Sequence, residues 1–246
     1  MSGLRFLLGT LVLAAAVILL APAALLDAPL ADRTAGRLRL ADARGVWWSG
    51  QGVVASADGV ARIPLAWRVD AAALARSAFV VRVRDADTAT PMGTLSLSRG
   101  SVDIRDLSLS VPAAAARSVD SRLESIALGG DVALTAPAYA LRGASRAGEV
   151  DATWQRARIV AGGANVDLGT VTLDSAPVDG GTTGTIRNDG GDVSIAGTFS
   201  DRAGALDASL TIAPMPAAPQ SVRTLLPLLG PPDGSGGVRI AWHGRG

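Results

Sequence analysis

No cysteine and no lysine occur anywhere in the 246 residues; histidine occurs once, at His243, and glutamate only at Glu124 and Glu149. The first absence excludes disulfides, thiol nucleophiles, thiolate-held zinc and iron–sulfur clusters. The second excludes a P-loop, a Schiff-base lysine and kinase-type catalysis. A serine triad would have to rest on His243, three residues from the C-terminus, and no G-x-S-x-G elbow supplies its nucleophile. Net charge is only +1, and arginines sit singly beside aspartates, so no basic stripe points to nucleic acid.

What carboxylates remain are mostly aspartates at turns or on wet strand faces, where they cap and solvate. Asp179, Asp189 and Asp192 form a poor calcium set. "GGTTG" at Gly180–Gly184 is expected to be a turn, because a phosphate cradle needs a strand–loop–helix context. Neither glutamate lies in an acid/base frame. The sequence therefore predicts no enzyme, no metal and no cofactor. A hydrolase would need two aspartates roughly 5–10 Å apart in a cleft.

The chain is rich, by contrast, in one long apolar run. Between Arg5 and Asp27 lie 21 uncharged residues, enough to cross roughly 30 Å of hydrocarbon as a helix. "APA" at Ala21–Ala23 would suit a signal peptidase, but the run exceeds the ~7–15 residues of a signal core and continues past the cut. The expectation is an uncleaved anchor over 6–26, with residues 1–5 cytoplasmic because Arg5 precedes it. A linker over 27–35 would lead to an exported domain over 36–246. In a bacterium this is a single-pass inner-membrane protein with its bulk in the periplasm, touching the bilayer through residues 6–26.

After Pro29 the hydrophobic period changes to two. "GRLRLA", "AFVVRVRD", "GTLSLSRG", "SVDIRDLSLSV", "NVDLGTVTLD", "GDVSIAGTFS" and "GGVRIAWHG" alternate as half-buried strands do. Turn signals "SADGV", "RNDGGD" and "DRAG" separate them. Helical breaks are expected at "DAAALARSA", after Pro112, and at "APQSVRTLLPLLGPP". The predicted fold is mainly β: a curved or partly closed antiparallel sheet with two or three short helices. The sheet is expected to be antiparallel because few helices are present to serve parallel crossovers, and a loose repeat, in which the Pro112 and Pro219 helical pieces are each followed by a glycine-led strand, suggests two related halves at 36–128 and 129–246.

Aromatics make up only 4% of the chain, yet Trp47 and Trp48 stand side by side between Gly45 and Gly50. On a strand, adjacent side chains point to opposite faces, so one ring should enter the core and the other contact a partner or lipid. A membrane-interface belt is disfavoured, because the pair lies about twenty residues beyond the span and belts sit at its flanks. The glycines suggest a bulged strand with room for a large ring.

The order of these elements resembles the general (type II) secretion pathway protein N family of Gram-negative bacteria. The matching stretches run T-x-G-R-L-x-L-x-x-x-x-G-x-W-x-G from Thr34 to Gly50, L-x-W at Leu65–Trp67, Gly129-Gly130, G-x-x-x-x-x-W at Gly148–Trp154, and L-L-x-L-L-G at Leu225–Gly230. The resemblance covers nearly the whole chain and implies a bitopic inner-membrane accessory subunit of the type II secretion machine, partnered by its other inner-membrane subunits. It carries no catalytic residues. Trp67, Trp154, Gly45, Gly50, Leu225 and Leu228 are the structural candidates; Trp47 and Trp48 are the contact candidates. The family also looks like AsmA-like envelope proteins, which implies an alternative: an apolar groove binding lipid or hydrophobic peptide. A scaffold would plug that concave face with its own helices, whereas a binding module would leave it open.

Overall fold

Two-residue alternation becomes strand almost wherever it occurs. The computed structural model describes residues 20–74, 78–118, 126–143, 145–161, 163–202, 205–228, 230 and 236–245. The chain divides into two compact units, 1–91 and 92–246. Residues 128 and 129, where two related halves were expected to meet, both lie in a strand of the second unit.

In the first unit, a 3-10 turn (Ala23–Leu26) and helix α1 (Asp27–Arg33) precede β1 (Leu38–Val46), β2 (Ser49–Ser56) and β3 (Arg62–Val69). Helix α2 (Ala71–Leu74) and β4 (Phe79–Asp85) follow. The strands form an antiparallel meander, β1 on β2, β2 on β3, β3 on β4. Trp67, Val69, Ala66, Ala61 and Ala73 are buried in it, with Ala23.

The outer edge of β1 is covered by the chain that leads into it. Pro22 bridges to Val46, and the Trp47 N–H donates to the Ala21 carbonyl at 3.1 Å. Further along, the Asp27 carboxylate accepts the Leu40 N–H at 2.8 Å and the Arg39 Nε–H at 2.9 Å. The Arg39 guanidinium, aided by the Leu40 N–H, holds the Asp27 carboxyl at about 2.

The segments read from sequence as anchor and linker are described only in part. Residues 6–19 of the expected anchor lie outside the described residues. Its last five residues, Pro22–Leu26, are not continuous helix: Pro22 is extended (φ −65°, ψ 146°) and a 3-10 turn follows. Proline lacks the N–H a continuing helix needs, and from Ala21 onward the described chain is held against the β1 end of the sheet. The expected linker likewise contains α1. Among the described residues, no helix is long and apolar enough to cross a membrane.

The second unit holds β5 (Pro91–Ser98), β6 (Ser101–Pro112), β7 (Ala127–Arg142), β8 (Ser145–Ala161), β9 (Ala164–Val178), β10 (Gly181–Asp189), β11 (Val193–Arg202), β12 (Ala205–Pro214) and β13 (Val238–Arg245). Each pairs antiparallel with the next. No pair among the described residues joins β5 to β13, so this sheet is open, not closed. Strands as long as 17 residues need relief from accumulated twist, and β-bulges supply it. Register shifts occur at Gly129/Asp131 in β7 and Trp154/Ala157 in β8. There Gly130 (φ +93°) faces Arg156 (φ +50°), and a Cβ on Gly130 would lie 2.2 Å from the Gln155 carbonyl oxygen.

One helical segment packs on this sheet, as its sequence suggests: α3 (Gln220–Leu225) and a 3-10 turn (Leu226–Leu228) between β12 and β13. Val222 and Leu226 are buried with Ala157, Val166, Leu168, Val193, Ile195 and Val238. The other expected break is less helical than its alanines suggest. Pro112 closes β6 and Ala113–Ser118 form a 3-10 turn; residues 119–125 lie outside the described residues. Part of "DRAG" (203–204) lies outside them too.

Candidate functional site

Among the described residues, the candidates for chemistry read from the sequence lie apart. His243 faces Asp207 across β13 and β12 at 2.7 Å, and both are exposed. Asp179 and Asp189 flank the two ends of β10, about 30 Å apart at ~3.3 Å per residue. Asp192, in the turn between β10 and β11, is tied to β9, its carboxylate accepting the Asp167 N–H at 2.9 Å. Among the described residues, no three His, Asp or Glu side chains gather as a metal would require. "GGTTG" is mostly strand: only Gly180 is in the turn and Gly181–Gly184 begin β10. A Cβ on Gly181 would meet the Asp201 carbonyl oxygen at 1.8 Å, so glycine serves close strand approach there. Glu149 borders an open depression of ≈ 360 Å³ with Asp103, Arg105, Tyr139 and Arg142. Burial pushes the Tyr139 phenol above its usual range, so it stays protonated at neutral pH. Glu124 lies outside the described residues.

Among the described residues, each unit has an apolar feature. In the first, Trp47 and Trp48 are not on a strand. They form the two-residue turn between β1 and β2, with Val46 opposite Ser49. Neither has a positive φ, so the turn is not the type I′ or II′ form that fits strand twist. Gly45, at φ +91°, supplies the left-handed residue beside it; a Cβ there would lie 2.7 Å from the Ser49 carbonyl oxygen. The Trp47 ring stacks on Phe79 at 6.3 Å and 6°, while Trp48 is exposed. One ring thus packs and the other faces outward, but through turn geometry and not strand alternation.

Trp67 is the aromatic that fills the core. Its indole N–H donates to the Trp47 carbonyl at 2.9 Å. Its six-membered ring covers Gly50, where a Cβ would come within 2.7 Å. The backbone carbonyl of Trp48 accepts the Val69 N–H at 2.7 Å. Trp154 repeats the device in the second unit, its indole N–H donating to the Gly129 carbonyl at 2.8 Å.

In the second unit a cavity of ≈ 330 Å³ lies between the sheet and α3, and every lining side chain is apolar. Trp154, Val166, Leu168, Ile195, Leu210 and Leu225 are among them, with Val222 and Leu226 from the helical plug. Leu225 therefore borders the cavity; Leu228 ends the 3-10 turn. The pocket is partly open, and its lining offers entering water no polar partner. Asn188 secures its rim. The side-chain amide donates to the carbonyls of Leu168 (2.9 Å) and Val193 (2.7 Å) and accepts the Ile195 N–H at 2.6 Å. "RNDGGD" marks the hairpin but does not disclose this tie. The alternation of "NVDLG" and "GDVSIAG" is the signal for the residues that line the cavity.

No curated protein and no solved structure matches the chain. A family model, that of type II secretion system (T2SS) protein N, matches residues 36–241. This covers all of the β domain from the strand before the Trp-Trp turn to Ala241, so the chain belongs to the type II secretion system protein N family.

Proposed function

We propose that the protein is a non-catalytic, membrane-anchored periplasmic scaffold subunit of the type II secretion machinery. Its N-terminus is cytoplasmic and its β domain supports the other inner-membrane subunits as folded proteins are exported across the outer membrane. The observation that carries this reading is the plug: α3 and its 3-10 turn lie on the apolar face of the open sheet, with Val222 and Leu226 in its core. A face packed by its own chain leaves edges as the natural docking elements. The β1 edge is covered by Pro22 and Asp27, whereas β13 pairs with β12 alone among the described residues. A partner strand would therefore add to β13.

The test is complementation in a strain lacking the chain, using secretion of a folded reporter. The wild-type chain restores secretion. A version whose first 21 residues are replaced by a cleavable signal, released into the periplasm, restores little. Full secretion with the released domain would refute an anchored scaffold.

The cavity favours a second reading, an apolar-ligand module. Its ≈ 330 Å³ is within the range of small-ligand pockets, about 300–1,000 Å³. Mass analysis of solvent extracts from the purified protein separates the two. A stoichiometric lipid favours the module, and its absence favours the scaffold.

A further inference from the structure

Twenty residues of sequence separate the Trp-Trp turn from the apolar run, but the fold removes that distance. The Trp47 N–H donates to the carbonyl of Ala21, within the run itself, and Pro22 bridges to Val46, the residue before the turn. The place where the run enters the domain is therefore the place where the tryptophans stand. Other apolar side chains gather in the same stretches of chain. Leu20 is 71% exposed, Leu25 61%, Leu74 44% and Trp48 39%. Leu74 belongs to α2, which follows Val69, the residue whose N–H binds the Trp48 carbonyl. Arg44 and Arg68 are exposed nearby, at register positions opposite Gln51 and Ser49.

We propose that the Trp47-Trp48 turn, with Leu20, Leu25 and Leu74, is a membrane-interface belt that sits in the headgroup region of the bilayer and fixes the height of the first unit above it. The inference rests on the anchored reading given above. Length supports it. With Pro22 already bridged to Val46, the uncharged run before it is Phe6–Ala21, sixteen residues, which would reach only about 24 Å as a helix. The hydrocarbon core is roughly 30 Å thick, so such a span is short, and a short span is met by local thinning or by flanking groups entering the interface. An indole with an apolar body and a polar N–H, leucines and snorkelling arginines are the composition found at that depth. The occupant is thus the lipid boundary itself, because the run destined for the bilayer ends one hydrogen bond from the turn.

The experiment uses the full-length chain reconstituted into phosphatidylcholine–phosphatidylglycerol vesicles whose acyl chains carry bromine near the headgroup, a short-range quencher of indole. Vesicle flotation establishes anchoring first. The wild type is quenched, Trp48→Phe lowers the quenching at least twofold, and Trp242→Phe leaves it unchanged. Trp48→Phe keeps the backbone bond to Val69. A second probe covers any misfolding: the chain has no cysteine, so Leu25→Cys and Trp242→Cys each accept a single fluorophore. The dye at position 25 is protected from aqueous iodide at least threefold relative to that at 242. A chain that does not float overturns the anchor and the belt together. A chain that floats, with quenching indifferent to Trp48→Phe or with equal iodide access at both sites, overturns the belt and leaves the anchor standing.

Discussion

Leu226→Ala tests whether the helical plug is packed on the sheet or merely lies over it. Leu226 is 3% exposed and shares a core with Val193, Ile195, Val222 and Val238. Removing three carbons forfeits about 2.4 kcal/mol of transfer free energy at ~0.8 kcal/mol per methylene. Buried Leu→Ala changes span about 2–5 kcal/mol once the residual cavity is included. Leu226 already borders the ≈ 330 Å³ void, so its contacts on that side are few and the lower half of the range applies. The expected loss is about 3 kcal/mol. At roughly 2–4 °C per kcal/mol for a chain of this size, the melting temperature falls by about 6–12 °C. Thermal melts followed by near-UV circular dichroism in detergent, with denaturant titration as a check, read both values. A companion variant reports on the void. Val222→Ile adds one methylene and gains about 0.8 kcal/mol if the space is empty. A loss below about 1 kcal/mol for Leu226→Ala would refute a packed plug.

Three further outcomes follow from single contacts. Trp67→Phe keeps most of the ring over Gly50 but deletes the indole bond to the part-buried Trp47 carbonyl, at a cost of about 1–3 kcal/mol; chemical denaturation measures it, and a neutral result would remove the indole bond from the account. Asn188→Ala deletes three donated bonds, to Leu168, Gly190 and Val193, and one accepted bond from Ile195, and destabilises the second unit by about 2–3 kcal/mol. Hydrogen exchange at the Ile195 amide should accelerate with it, and unchanged protection would contradict the tie. Asp27 is held at about 2, mainly by Arg39. Its folded value lies below the unfolded one, so its contribution is complete above about pH 4 and is lost as pH falls toward 2. A carboxyl carbon titration by NMR should show that midpoint, displaced upward in Arg39→Ala; a wild-type midpoint near 4 would contradict the clasp.

Most of the strand framework was legible because alternation is a direct imprint of one wet and one dry face, as in "NVDLGTVTLD". The helix before Gly230 was legible for a similar reason: its leucines and valine have to cover something. Other features were not. The Trp-Trp pair reads as strand because hairpin turns are announced by Asn-Gly or Asp-Gly, and nothing local says that Gly45 has taken over the left-handed role. The end of the apolar run was obscured because hydropathy cannot distinguish residues in lipid from Ala23, buried in protein. Pro22 was the available signal. The proximity of Ala21 to Trp47 is a tertiary fact, and the sequence distance between them pointed the other way. The cavity arises from how completely α3 fills the sheet, which depends on side-chain volumes across several strands.

The most direct test of the scaffold is photo-crosslinking in secreting cells from Arg239, Ala241 and His243 on β13, with positions 193 and 222 in the cavity wall as comparison. The account predicts adducts between β13 and another inner-membrane subunit of the secretion machine, and none from the cavity wall. Phospholipid adducts at 193 and 222, with β13 silent, would contradict it and make the chain an apolar-ligand carrier.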